Sequence, residues 1–331
     1  MCWTLAHCTS IFVIYKDIDK MNYFQFTKRF PTENAAIDYI VKKKYQDGYY
    51  CPKCGCYHNR IYHQSYDRRK LYCNNCKSEF SAMTGTIFEN THLDIRMWLY
   101  AINLVTIAKK GTSALQLQRE LGIGSYKCAW RMMQKIRGAI SNENMKDVFE
   151  AVVEIDETYV GGKPRKKNVH NERETNENFN KRGRGCAKTP VIGVKERSTG
   201  RVHAVVANFN DEGKQLTGKQ LFNVLKKVCK DGTTVMTDQY SGYNILDKEN
   251  EKNFIRVKVD HSVLYSLGKG MHTNGIESFW AIVKRGVYGI YHHVSLKYMQ
   301  RYMDEFCFRM NHRESGEAFE SLVSLSVKQV A

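Results

Sequence analysis

The 331-residue chain has no apolar run near the ~20 residues that a membrane-crossing helix needs, which argues against a membrane partner. It lacks acidic balance. Only 34 Asp and Glu stand against 51 Lys and Arg, a net charge of +17. A polyanion is the natural partner for such a surface, because lysine and arginine capture phosphates and release their counterions. A disulfide framework is missing too. Of eleven cysteines, seven (Cys2, Cys8, Cys56, Cys128, Cys186, Cys229 and Cys307) are scattered without regular spacing. Free thiols point to a reducing cell interior. No secretory signal is evident, since the apolar run Ile11–Tyr15 is short and no basic segment precedes it. Residues 1–20 read as a non-native or disordered leader, an upstream extension ahead of Met21.

The remaining four cysteines are regularly placed. Cys51 and Cys54 form one C-x2-C pair, Cys73 and Cys76 a second. This is the spacing of a tetrahedral structural zinc site, a zinc ribbon over 48–90. Four thiolates fill the shell, so this metal holds structure and does no chemistry. Gly55 follows the first pair, where the turn favours a residue tolerant of positive φ. The intervening residues 60–73 alternate like hairpin strands, with the turn near Ser65–Asp67.

Elsewhere the pattern divides into a helical part and an α/β part. Residues 21–47 hold a short N-terminal helical segment, and 91–145 a longer helical region. Within the latter, a short helix, a Leu121–Gly124 turn and a basic helix from Tyr126 have helix-turn-helix patterning. Tyr126, Lys127, Arg131, Gln134, Lys135 and Arg137 are its candidate DNA-facing residues; an ordinary helical hairpin with solvated charges is the alternative. From 148 to 315 the predicted order is βββ-α-β-(α)-β-α-α, which matches a ribonuclease-H-like mixed sheet with helices on both faces. The chain is thus a multi-domain α/β protein, ending in a tail over 316–331. An insert at 161–188 carries nine Lys or Arg against three Glu. Its Lys163, Arg165, Lys166, Lys167, Arg182 and Arg184 are further candidates for DNA contact, against the alternative of a solvated loop.

Asp156 and Asp238 each end a predicted apolar strand, the position that α/β folds use for ligands. With a third acid they can bind two divalent cations about 3.5–4 Å apart, the arrangement for phosphodiester chemistry. The third group is expected on the helix after the last strand. There Glu277 and Lys284 are seven residues apart and share a face, so Glu277 can reach metal while Lys284 meets a phosphate. Asn274 is the other candidate ligand, although Asn274-x-x-Glu277 also fits a helix capping box. Glu154 shares a strand face with Asp156 and is a rival ligand.

Several stretches together, CPKCG…YCNNCKSEFSAMTGTIFENT, VVEIDETYVGGK, KTPVIGV, VMTDQYSGY and HTNGIESFWAIVKRGVYGIYHHVSLKYMQRYMDEFCFRMNHR, resemble insertion-sequence transposases of the ISXO-like type, relatives of eukaryotic Merlin elements. The resemblance spans roughly 48–312. It implies a zinc ribbon, a helix-turn-helix region and a ribonuclease-H-like domain with an Asp-Asp-Glu or Asp-Asp-Asn set. Carried over, that set is Asp156, Asp238 and Glu277, with Asn274 as second choice, and Lys284 as the lysine on DNA beside Arg285. The family also implies Mg2+ or Mn2+ for catalysis, double-stranded DNA as partner (terminal inverted repeats and target), a homo-oligomer on DNA, and a bacterial cytoplasmic or nucleoid location, or the nucleus for a Merlin-like element. The expected activity is strand cleavage and strand transfer. The rivals are a zinc-ribbon DNA-binding regulator with a relic catalytic domain, and a nuclease that only hydrolyses.

Overall fold

The computed structural model describes residues 21–58, 62–143, 148–161, 188–207, 216–248, 252–259 and 272–328. The leader 1–20 and Lys163, Arg165, Lys166, Lys167, Arg182 and Arg184 of the basic insert lie outside the described residues.

The N-terminal half begins with two helices, α1 (Tyr23–Arg29) and α2 (Glu33–Lys44). A reciprocal capping box between Asn22 and Gln25 starts α1. The Thr32 hydroxyl accepts from the Ala35 amide to start α2. Two small antiparallel pairs follow: β1 (Tyr49–Tyr50) with β2 (Tyr57–His58), and β3 (Lys70–Tyr72) with β4 (Glu79–Ser81). Residues 62–64 also run back along β3, through the Tyr72 amide to Tyr62 and the Gln64 amide to Lys70. Three helices come next: α3 (Ile95–Ile107), α4 (Ala114–Leu121) and α5 (Tyr126–Ile140). Ile95, Leu99 and Ile102 of α3 are completely buried, so this helix is the centre of the first hydrophobic core.

The second half is a five-stranded sheet of β5 (Val152–Val160), β6 (Thr189–Glu196), β7 (Val202–Val206), β8 (Thr234–Thr237) and β9 (Ile255–Lys258). Its order is β7-β6-β5-β8-β9. The pairs β5/β6 and β6/β7 are antiparallel, while β5/β8 and β8/β9 are parallel. This is the ribonuclease-H-like mixed sheet expected from the order of predicted elements. One face is covered by α6 (Gly218–Val228), whose Leu221, Val224, Leu225 and Val228 form a buried stripe at helical spacing. The other face is covered by α7 (Asn274–Gly286) and α8 (Leu296–Asn311). Strand β7 is an edge, and α8 closes it with two carboxamides. Asn311 accepts from the Val202 amide (2.7 Å) and donates to its carbonyl (3.1 Å); Gln300 accepts from the Val206 amide (2.8 Å) and donates to the Ala204 carbonyl (2.9 Å).

Two expectations are corrected here. Residues 316–331 are not simply a tail: they contain α9 (Ala318–Val327), whose Phe319, Leu322, Val323 and Val327 pack into the first core. Arg137, expected to face DNA, is 1% exposed. It points inward because Glu305 of α8 accepts from its Nε at 2.5 Å. Gln134 is buried as well.

Candidate active site and thiol cluster

The sequence pattern predicts Asp156 at the end of its strand; the strand in fact runs on to Val160, because Glu157–Val160 stay paired with β6. The ladder to β8 stops earlier, at Glu154 opposite Met236. Continued by two residues, that register brings Asp156 level with Asp238, the residue just after β8. The two carboxylates are close enough for the Asp238 charge to act on Asp156. Asp238 also does what an aspartate at a strand end often does: its Oδ1 accepts from the Tyr240 amide at 2.9 Å. Arg256 of β9 fixes this turn from behind, donating to the Thr237 hydroxyl and the Asp238 carbonyl.

Helix α7 supplies the third group. Ile276, Phe279, Trp280 and Val283 bury one face, which leaves Asn274, Glu277, Lys284 and Arg285 exposed on the other. The helix lies close to the sheet because Gly193, the β6 partner of Asp156, has no side chain. A Cβ there would run into the Trp280 ring and meet Ile276 Cδ1 at 3.0 Å. The capping box Asn274-x-x-Glu277 does not form. Thr273 is the N-cap residue, and its hydroxyl donates to Glu277 Oε1 at 3.0 Å.

Electrostatics tie these groups together. The Asp156 carboxyl is pushed up to about 7, first by burial, then by the Glu157 charge, with further contributions from Asp238 and Glu277. Glu157 points to the opposite face of β5, where the buried Tyr243 hydroxyl donates to it at 2.8 Å. Glu154, the rival ligand, is 1% exposed and engaged by protein donors on both oxygens, Arg197 Nε at 2.8 Å and the Ile276 amide at 2.9 Å. An all-oxygen set whose charges oppose ionisation of Asp156 suits a hard divalent cation, which would relieve that repulsion.

The four ribbon thiols converge. Cys51, Cys54, Cys73 and Cys76 place their sulfurs within 4.8 Å of one another. Cys51 to Cys76 is 3.8 Å and Cys54 to Cys73 is 3.7 Å. A tetrahedron with Zn–S near 2.3 Å has an edge of about 3.8 Å, so the residues fit zinc. Gly55 adopts the expected positive φ (71°), and Lys77 takes the equivalent place after the second pair (52°). Among described residues this is the one cluster of its kind. His58 stands beside it, with Nε2 3.2 Å from Cys73 Sγ.

Of the candidate DNA-facing residues on α5, Lys127 and Arg131 are exposed. Lys135 donates its ammonium to the Ile87 and Glu89 carbonyls, tying α5 to the segment after the ribbon. Arg197, Arg256, Thr273 and Gly193 shape the carboxylate site and were not singled out from sequence. A glycine inside the apolar strand Val191–Val194 is a signal of close approach; an arginine on a strand gives none.

The segment 149–311 matches the ISXO2-like transposase domain. The chain is also similar to an uncharacterized protein in transposable element ISH50 of Halobacterium salinarum, at 30% identity over 264 residues, 78% of this chain and 84% of that one. No described helix is long and apolar enough to cross a membrane. The sheet and these similarities agree: the chain belongs to the ISXO2-like transposase family.

Proposed function

We propose that the chain binds the terminal inverted repeats of an insertion sequence and performs metal-dependent strand cleavage and strand transfer with Asp156, Asp238 and Glu277. The observation that carries this reading is the register that sets Asp156 beside Asp238, together with the Glu277 charge felt at Asp156. Two divalent cations, Mg2+ or Mn2+, when bound there lower the pKa of the attacking hydroxyl and stabilise the departing oxygen. Asp156 and Asp238 hold them from the sheet and Glu277 from the helix, with Asn274 one turn away as the alternative donor. Lys284 and Arg285, exposed on α7, meet DNA phosphates. In the first step water attacks phosphorus at the element's end and the 3′ oxygen leaves as a hydroxyl. In the second, that hydroxyl attacks a target phosphodiester and displaces its 3′ oxygen.

The flanking modules serve as grips. Zinc in the Cys51, Cys54, Cys73 and Cys76 cluster fixes the ribbon (48–90). The helices α4 and α5 act as a helix-turn-helix (91–145), with Lys127 and Arg131 toward DNA. The ribonuclease-H-like domain spans 148–315. Assembly on paired DNA ends makes a homo-oligomer. Excision in cells tests the reading: Asp156→Asn and Asp238→Asn should abolish it, and persistence in either overturns the mechanism. Asn274→Ala against Glu277→Ala identifies the third ligand. Pre-cleaved ends separate transposase from simple nuclease, because joined products require the second step.

A further inference from the structure

Glu154 is not beside the cation-binding groups by accident of sequence. It lies two residues before Asp156 on β5 and therefore on the same face. Its Oε2 accepts from the Ile276 amide at 2.9 Å, in the first turn of α7, one residue before Glu277. Carboxylates at that end of a helix are favoured by the helix dipole and by unsatisfied amides. Arg197 of the β6 end holds the other oxygen at 2.8 Å and also donates to the His272 carbonyl just ahead of the helix. Lys195, the cross-strand partner of Glu154, donates to the Gly275 carbonyl at 3.1 Å. Gly275 is required by this clamp, since a Cβ there would sit 2.7 Å from Glu154 Oε2.

We propose that Glu154 is a positioning residue: through it, the strand that carries Asp156 fixes the first turn of the helix that carries Glu277. One strand then sets two of the three cation-binding groups, and their separation does not depend on the long connection before α7. The inference rests on the proposed role of Asp156, Asp238 and Glu277.

The test uses the full-length protein, Mg2+ and a duplex carrying the element's terminal repeat. Glu154→Gln and Glu154→Ala should cleave roughly 10- to 100-fold more slowly, bind the duplex within about twofold of wild type, and need at least about fivefold more Mg2+ for half-maximal rate. Val153→Ala, which weakens the opposite core face, should leave the Mg2+ requirement unchanged. Gly275→Ala should reproduce the defect, and adding it to Glu154→Ala should cost little more. Amide exchange reports even on an inactive variant: Glu154→Ala should speed exchange at Ile276 at least about tenfold relative to α6. An unchanged Mg2+ requirement, additive Gly275 and Glu154 effects, or unaltered Ile276 exchange each overturn the proposal. Asp156→Asn is the separate control: if it still cleaves, the underlying site assignment fails, whatever Glu154 does.

Discussion

A carboxyl group held near neutrality is a liability to the fold that a binding site explains. Asp156 sits at about 7, above its ordinary value of 3.8, because burial and neighbouring acids oppose its charge. Between those two values the folded state holds more protons than the unfolded state, so stability falls as pH rises through that window and the full cost is present above it. Asp156→Asn removes the charge. Without added Mg2+, thermal unfolding at pH 8 should occur roughly 3–6 °C higher than in wild type, with no such gain near pH 3.5, while DNA cleavage is lost. A lower melting temperature at pH 8 would contradict the account. At this scale the sequence was informative about which carboxylates stand near one another and silent about what engages each. Glu154 and Asp156 differ by one methylene and share a strand face. What separates them is Arg197 and the Ile276 amide, which come from distant parts of the chain.

The four-cysteine ribbon was legible at the level of elements because its thiols and turns are local. Both C-x2-C pairs and the positive-φ residues after them lie within one short stretch, Cys51 to Lys77. Its attachment was less legible: Cys51, Cys73, Leu71 and Phe80 share a core with α2 and α3. Cys51→Ser should therefore remove amide protection across 48–82 and loosen α2, yet leave β5–β9 protected; hydrogen exchange resolves the two regions. Melting of the sheet in parallel would rule out this separation. Strand β5 shows the opposite case. Its length past Asp156 is set by pairing with β6 across the basic insert, so no local pattern marks its end. The close seating of α7 likewise depends on Gly193. Gly193→Ala should cost about 1–3 kcal/mol in denaturant unfolding and slow cleavage by displacing Trp280.

Across the whole molecule, one buried charge group joins the halves. Glu305 of α8 receives Arg137 of α5, Arg309 of its own helix, and the Tyr291 hydroxyl at 2.8 Å. Burial alone would raise the Glu305 carboxyl; the two guanidinium groups overcome it and hold the carboxyl down to about 2, below its ordinary 4.5. The stabilisation is complete above 4.5 and disappears as pH falls toward 2, on the order of 3 kcal/mol. Unfolding followed from pH 6 to pH 2 should show that loss, and Glu305→Gln should flatten it. The same variant should lose about 3–5 kcal/mol at neutral pH, because two buried cations are left uncompensated. Neither this junction nor the docking of α9 was readable from sequence, since both join segments more than a hundred residues apart. The carboxamides of Gln300 and Asn311 have a consequence at this scale as well. They already engage the outward amides of Val202 and Val206 and the carbonyls of Val202 and Ala204, so most of that border is closed to an incoming strand. That border is thereby shielded from the strand-on-strand growth that leads to fibrils.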